Sequence, residues 1–446
     1  MIRRVFLFLD AVAFFLLTWG ILYLRHGGLS WMRLRDQLII YIPIFLLATF
    51  VLWLFSFYDV KLLRKQAIAY KRLLVAWVIT FVGSASFIYF ITAFFPHVHL
   101  PTPRRVLLVI LLVYFAYIYL FRSNYFKLDI AKKNVLIFGN SPTITEMLTQ
   151  MRKSHGYRIQ EYESAPQQDK KYNLKNVDIV IVGSKLFREN PQAWETITRK
   201  FIAKGACVDT DFNAYERIFQ RISRESVEDS MWLLRGIGNR HEDSTYNMLK
   251  RAVDVTLALI MLPILLPLGC FIWLFVRVVD GYPPLFIQKR VGYLEKPIYV
   301  YKFRTIRPGG TEANITKCGK ILRRFRWDEI PQVWNVLKGD LSFVGPRPLW
   351  GNEYEFLNKH IPNHNIRTVV KPGITGWAQL NFKAPPTYFN FRNEAPAALD
   401  PHAFDEAFKR LSYDVWYIKN HSFSLDLDIL VKTGLRMFIK DSRVSS

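Results

Sequence analysis

The segment RRFRWDEIPQVWNVLKGD, residues 323–340, sets two adjacent carboxylates, Asp328 and Glu329, in one of the most basic parts of a basic chain. From Phe286 to Arg347 there are 13 Lys or Arg against 5 Asp or Glu. That excess suits a multiply charged phosphate ligand, which Arg grips bidentately and Lys meets as a point charge. It equally suits anionic lipid headgroups. An ionised Asp is a competent nucleophile toward phosphorus, and a neighbouring Glu can hold a divalent cation that offsets phosphate charge. Neighbouring residues on a helix diverge by about 100°, so both acids serve one atom only if the backbone turns between them. Pro331 predicts such a turn. Proline is tolerated at the start of a helix, which places Asp328 near an N-cap and Glu329 just inside, where free N–H groups and the helix dipole favour negative charge. The same pattern describes an ordinary Asp cap with a first-turn Glu, so the dipeptide alone leaves capping and catalysis open.

The elements that must carry this pair are read from composition and periodicity. The chain has 446 residues, 51% of them hydrophobic and 15% aromatic, with a formal charge of +24. Length predicts two or three domains, and an aromatic-rich apolar chain with excess positive charge predicts a membrane partner over nucleic acid. Cys207, Cys270 and Cys318 are odd in number and far apart, which predicts neither a disulfide framework nor a zinc site. Four apolar stretches, about 5–24, 38–57, 73–94 and 106–121, have the length of membrane spans, and Trp19, Tyr23, Trp53 and Tyr58 lie near their ends. No cleavable signal peptide is expected, because the first run is long and no small-residue cleavage site follows it. Lys61, Arg64, Lys65, Lys71 and Arg72 between the second and third runs put both ends of the bundle in the cytoplasm by the positive-inside rule. Asp10, in the first run, is either a functional intramembrane acid or a helix-end residue reaching the interface.

Beyond the bundle, KKNVLIFGNSPTITEMLTQMRKS reads as a short β-like run, a turn and an amphipathic helix, and NVDIVIVGS and GACVDTDF as buried strands with helical sequence between them, so residues 134–225 are expected to form a small Rossmann-type α/β domain. The dinucleotide fingerprint is missing: Asn140 and Ser141 follow Gly139 where further glycines would be required. Residues 235–249 read as a polar linker. A fifth apolar run, 252–276, has Lys250 and Arg251 before it and Arg277, Lys289 and Arg290 after it, so both ends are predicted to face the cytoplasm. Pro263 and Pro267 offer places to bend and return, since proline removes a helical hydrogen bond; a kinked span stays open at this point. The aromatic-rich faces of VWNVL, YDVWYIK and LDILVKTGLRMFI suit either a bilayer surface or a protein core.

The ordered set KRAVDVTLAL, IQKRVGYLEKPIYVYKFRT, RWDEIPQVWNVLKGDLSFVGPRP, VKPGITGWAQLN and YDVWYIKNHSFSLDLDILVKT, from about Lys250 to Lys440, closely resembles the bacterial sugar transferase family of polyprenyl-phosphate hexose-1-phosphate transferases. With the bundle and the α/β domain, the chain looks like the long form of these monotopic phosphoglycosyl transferases. The resemblance implies transfer of a sugar-1-phosphate from a nucleoside diphosphate sugar, usually UDP-linked, to undecaprenyl phosphate, with release of UMP. It implies Asp328 as the nucleophile that forms an aspartyl phosphosugar, Glu329 as the residue engaged with Mg²⁺, and a re-entrant helix at 252–276. It further implies the bacterial inner membrane with the catalytic domain (250–446) on the cytoplasmic face. No nucleic-acid partner is expected, and a homo-oligomer is left open.

Lys302, Arg304, Arg324 and Arg347 are the expected phosphate-binding residues, since two phosphoryl ligands must be held in turn. Asp254 is expected to cap or pair locally with Lys250 or Arg251, and Gly373 and Gly376 to serve a tight turn. Two positions depart from the family: Leu266 stands where a Ser commonly precedes the hairpin proline, and Arg326–Trp327 where Ser-Leu commonly precedes the acids. Two other enzyme classes compete. Asp209 to Asp211 (DTD) offers the metal motif of a glycosyltransferase, and Tyr246 with Lys250 has the Tyr-x-x-x-Lys spacing of a nucleotide-sugar dehydratase or epimerase.

Overall fold

The computed structural model describes the chain except residues 1, 27–30, 55–56, 59–65, 95–103, 129–132, 154–156, 164–176, 190, 230–243, 311–313, 383–400 and 439–446. Its contacts divide it into two units, Met1–Ala131 and Lys132–Ser446.

In the first unit each of the four apolar stretches is a helix: α1 (Ile2–His26), α2 (Trp31–Leu54), α3 (Gln66–Phe94) and α4 (Arg104–Leu128). Their facing sides are aromatic and small, with Phe14 edge-on to Tyr114 at 5.0 Å and Ala76, Thr80 and Ser84 fully buried. Asp10 is buried inside the unit and accepts a 2.8 Å hydrogen bond from the Tyr58 hydroxyl, which compensates a polar group in apolar surroundings. Much of the charge between α2 and α3, and the segment between α3 and α4, lies outside the described residues.

The second unit begins with a parallel sheet of order β2-β1-β3-β4: β1 (Lys133–Phe138), β2 (Tyr157–Tyr162), β3 (Ile179–Val182) and β4 (Cys207–Thr210). Val135, Ile137 and Ile181 pack under the helices α5 (Pro142–Lys153) and α8 (Asp211–Phe219). Leu136, Phe138, Val180 and Val182 pack under α7 (Pro191–Ala203), which follows the short α6 (Ser184–Glu189). Covered on both faces, β1 and β3 read as continuous apolar runs. β2 lies where the sequence reading assigned no element: YRIQEY is a half-exposed edge strand, so it carries little apolar signal.

After α9 (Arg224–Glu228) comes α10, one continuous helix from Ser244 to Val279 with Pro263 and Pro267 inside it. Residues 235–243 of the expected linker lie outside the described residues, and Ser244–Leu249 are already helical. The body that follows α10 opens with the antiparallel hairpin β5 (Leu285–Val291) and β6 (Pro297–Phe303), then α11 (Lys317–Phe325) and α12 (Gln332–Lys338). β7 (Ser342–Val344) and β8 (Gly373–Thr375) pair in parallel, with α13 (Gly351–His360) between them and α14 (Trp377–Asn381), α15 (Pro401–Asn420) and α16 (Phe423–Phe438) after them. The aromatic face of α15 is a core face, with Leu411, Val415, Tyr417 and Ile418 all buried.

The α/β sheet is docked onto this body. Trp377 Nε1 donates to the Gln220 carbonyl (2.8 Å), Ile222 N to Ser412 O (3.2 Å), and Lys419 pairs with Glu216 at 2.7 Å. Among the described residues, α1, α3 and α10 contain segments long and apolar enough to cross a membrane.

Candidate active site

Asp328 and Glu329 lie in a 3₁₀ turn, Trp327–Glu329, between α11 and α12. This corrects the expected placement in the first turn of a helix. Pro331 itself occupies the cap position of α12, and the acids precede it. What turns the backbone is Arg326, left-handed at φ 56°, whose N–H closes α11 onto Arg323 O. Trp327, the other residue that departs from the family, stacks on Phe325 at 5.1 Å. It packs with Ile330 against Ile272, Val276, Phe303, Cys318 and Leu322, so an apolar anchor pins the turn.

The cations arrive from two other elements. Ile298, Val300 and Lys302 alternate onto the inward face of β6, and the last of them carries its ammonium to the carboxylates. Lys302 Nζ lies 3.3 Å from Glu329 Oε1, and Arg347 Nη1 lies 3.5 Å from the same oxygen. Arg347 is held by backbone crossings that bear on Gly373 and Gly376. A Cβ on Gly373 would meet Gly345 N at 2.1 Å, and one on Gly376 would meet Gly345 O at 2.2 Å. Neither glycine takes a positive φ, so close approach of two backbones, and not a tight turn, requires them. The crossing is fastened by Gly345 N to Thr375 O and Gly373 N to Pro346 O, both 2.9 Å, and Arg367 Nη2 donates to the Arg347 carbonyl at 3.0 Å.

The two acids are held differently. Glu329 is 12% exposed and shared by two cations, whereas Asp328 accepts no hydrogen bond from another side chain among the described residues. Burial opposes the charge on Glu329, yet Arg347, Lys302 and Arg326 outweigh it and bring the carboxyl down to about 2. Burial, with the Glu329 charge beside it, raises Asp328 against the pull of Lys302 and Arg323. Burial and the Arg347 charge lower Lys302 to about 8, despite Glu329 and Asp328. One carboxylate is thus fixed and permanently charged, the other unclamped and less firmly ionised, which suits a charge holder beside a nucleophile.

The remaining expected cations are placed elsewhere. Arg304 donates from Nε to Pro283 O (2.8 Å) and stacks over Phe286. Arg324 is exposed over Phe325. Arg323, which sequence reasoning did not single out, and Arg326, one of the two residues that depart from the family, act on the acids through their charge. In a run of three cations the helical phase selects the partner, and the αL turn at 326 sets that phase. We expect Arg347→Ala to lower kcat/KM about 10²-fold and Arg324→Ala to change it less than about threefold, in initial-rate assays on membranes.

The other motifs are spent on structure. The Asp254 carboxylate accepts from Phe343 N at 3.1 Å, joining α10 to β7, while the charge of Lys250 one turn earlier favours its ionised form. Tyr246 and Lys250 both bond Asp426, at 2.8 and 2.5 Å, and Tyr417 donates to it as well, outside any dinucleotide fold. Asp209 pairs with Arg217 at 2.9 Å. Asp211 is buried, accepting from Ser184 N (3.1 Å), the Ser184 hydroxyl and the Ser141 hydroxyl (3.3 Å) at the carboxyl edge of the sheet. There it stands where the phosphates of a nucleotide would meet the loops after β1 and β3.

The family model for bacterial sugar transferases matches residues 245–440, the stretch that builds this site. An uncharacterised sugar transferase of Bacillus subtilis, EpsL, is 36% identical over 202 residues, 44% of this chain and 89% of that protein. The chain belongs to the bacterial sugar transferase family. Two longer members are also similar to this sugar transferase chain. The UDP-N-acetylgalactosamine-undecaprenyl-phosphate N-acetylgalactosaminephosphotransferase of Aeromonas hydrophila is 31% identical over 44% of the chain. The UDP-glucose:undecaprenyl-phosphate glucose-1-phosphate transferase of Escherichia coli is 35% identical over 43% of it. The matches span 45% and 40% of those two proteins.

Proposed function

We propose that the protein transfers a hexose-1-phosphate from a UDP-sugar to undecaprenyl phosphate and releases UMP, through a covalent intermediate on Asp328. The observation that carries this reading is the unequal pair: Glu329 clamped by Lys302 and Arg347, and Asp328 beside it unclamped. An Asp328 carboxylate oxygen attacks the sugar-bearing phosphorus of the donor, a P–O bond forms, and the bond to the UMP oxygen breaks with its electron pair. An oxygen of the polyprenyl phosphate then attacks the same phosphorus, and Asp328 leaves as carboxylate. Lys302 and Arg347 offset the charge of both phosphate substrates. The activities for which the Aeromonas and Escherichia relatives are named agree with the overall transfer.

Among the described residues no group of three His, Cys, Asp or Glu forms a cage for a metal. The adjacent acids still fit Mg²⁺, which binds through one or two carboxylates plus substrate phosphates. Glu329, charged down to about 2, would hold it, and the ion would add positive charge at the donor diphosphate.

The four N-terminal helices are read as spans of the bacterial cytoplasmic membrane, with residues 250–446 as the catalytic domain on its cytoplasmic face and the α/β sheet, residues 134–225, as a domain docked on it. Residues 252–276 are read as dipping in and returning. Both ends of α10 engage the same body: Arg251 bonds Val336 O and Leu337 O and Asp254 bonds Phe343 N, while Ile272 and Val276 pack on Phe303 and Leu322. Between them Leu259, Ile260, Ile264, Leu266 and Phe271 are exposed and apolar. In a cysteine-free background, single cysteines at Ser244 and Tyr282 are expected to react with an impermeant maleimide from the same side of sealed vesicles. Labelling from opposite sides would make α10 a span.

A panel of UDP-hexoses with undecaprenyl phosphate tests the reaction by its nucleotide product. UMP is expected, and UDP as the sole product would replace phosphotransfer with glycosyl transfer. The profile of kcat/KM against pH is expected to be a bell. Ionised Asp328 is lost as pH falls through its raised pKa, above the usual carboxylate range, and charged Lys302 is lost as pH rises through about 8.

A further inference from the structure

β6 is the inner strand of a two-stranded ribbon, so only one of its edges is paired, by β5. Its other edge is covered by a side chain. Asn335, on α12 and fully buried, accepts from Tyr301 N through Oδ1 at 3.0 Å and donates from Nδ2 to Tyr299 O at 2.6 Å. A carboxamide that takes the N–H of one residue and the carbonyl of the residue two before it does what one residue of a parallel third strand would do with its own N–H and C=O. Nδ2 also reaches Asp340 Oδ2 at 3.4 Å. The main chain of the same residue closes α12, its carbonyl accepting from Gly339 N (3.1 Å), Asp340 N (3.0 Å) and Leu341 N (3.2 Å) as the chain turns into β7.

These bonds join the three pieces of the site. Lys302 follows Tyr301 directly, the Asp328–Glu329 turn runs into α12, and β7 leads through Gly345 to Arg347. Among the described residues no ion pair or hydrogen bond other than Lys302–Glu329 and Tyr301/Tyr299–Asn335 is recorded between β6 and the stretch Trp327–Lys338. The first of these is what catalysis would use, which leaves the second, together with the packing of Trp327 and Ile330 on Phe303, to set its length. We infer that Asn335 is a positioning residue that fixes Lys302 and Arg347 against Glu329 without touching either substrate. This rests on the phosphotransfer reading above.

The test uses the full chain in membranes, with the UDP-hexose that the wild type turns over, and compares Asn335→Ala with Asn335→Asp. Alanine removes both bonds to β6; aspartate keeps the acceptor for Tyr301 N and loses the donor to Tyr299 O. The expected result is a fall in kcat/KM of about 10²-fold for alanine and about 10-fold for aspartate, from misplaced reacting groups. The fall is expected in kcat per folded molecule, with aspartate restoring part of it through the acceptor for Tyr301 N, whereas a general loss of folded protein lowers the amount of active enzyme and leaves kcat per folded molecule unchanged. Should alanine fail to accumulate, aspartate alone decides. Wild-type turnover, or a loss that disappears once rates are normalised to folded protein, overturns the inference. UDP in place of UMP from the wild type overturns the reading beneath it as well, and the two failures are told apart by product.

Discussion

Asp328→Asn is expected to abolish transfer, with UMP release falling by at least about 10³-fold while the protein inserts and folds as the wild type does. The change is isosteric and removes the group proposed to form the bond to phosphorus, so no preserved contact compensates. Folding is spared because, among the described residues, the Asp328 carboxylate holds no other side chain in place, and the anchor of the turn is Trp327. Glu329→Gln separates the roles: it leaves Lys302 and Arg347 facing a neutral amide, so both rate and donor binding should suffer. The measurements are UMP release and mass spectrometry of trapped protein. A sugar-phosphate adduct on Asp328 should appear in the wild type and disappear in Asp328→Asn. Residual transfer near the wild-type rate would assign the nucleophile elsewhere.

The largest expected effect on stability is at Arg367. Its guanidinium is 5% exposed and meets Asp414, 2% exposed, at 2.8 Å, while the same Nη2 supports the Arg347 carbonyl. Arg367→Met leaves the Asp414 carboxylate buried without its main partner, a type of change that costs about 3–5 kcal/mol. The apparent melting temperature in detergent should fall by several degrees. The double variant Arg367→Met/Asp414→Leu should recover much of that loss, because it removes the stranded charge with its partner. It should not recover activity, since the Arg347 loop still lacks its support. Full recovery of transfer in the double variant would show that the loop is held by the glycine crossing alone.

Much of the architecture was legible because it follows from local periodicity. The apolar stretches are long enough to be helices wherever they lie, and β1 and β3, buried on both faces, announce themselves as unbroken apolar runs. β2 was not legible, since an edge strand with polar residues on its open face carries no such signal. The acidic pair was visible as a candidate, but its turn was assigned to Pro331 when Arg326 makes it. Left-handed backbone at an arginine has no sequence signature comparable to glycine. Gly373 and Gly376 were rightly singled out and wrongly explained, because their crowding comes from Gly345, about thirty residues away. Tyr246, Lys250 and Asp211 show the converse: residue types that spell a catalytic motif at the right spacing are satisfied by Asp426, Ser141 and Ser184.

By itself the sequence determined which residues carry charge, which stretches are apolar, and the order of motifs that marks a bacterial sugar transferase, since these are properties of the chain at each position. Only the tertiary structure decided which cations meet the acids and which acid stays unclamped. Lys302, Glu329 and Arg347 come from three elements up to 45 residues apart, and they converge because apolar burial, a buried Asn on a strand edge and backbone contact at glycine leave their side chains little freedom.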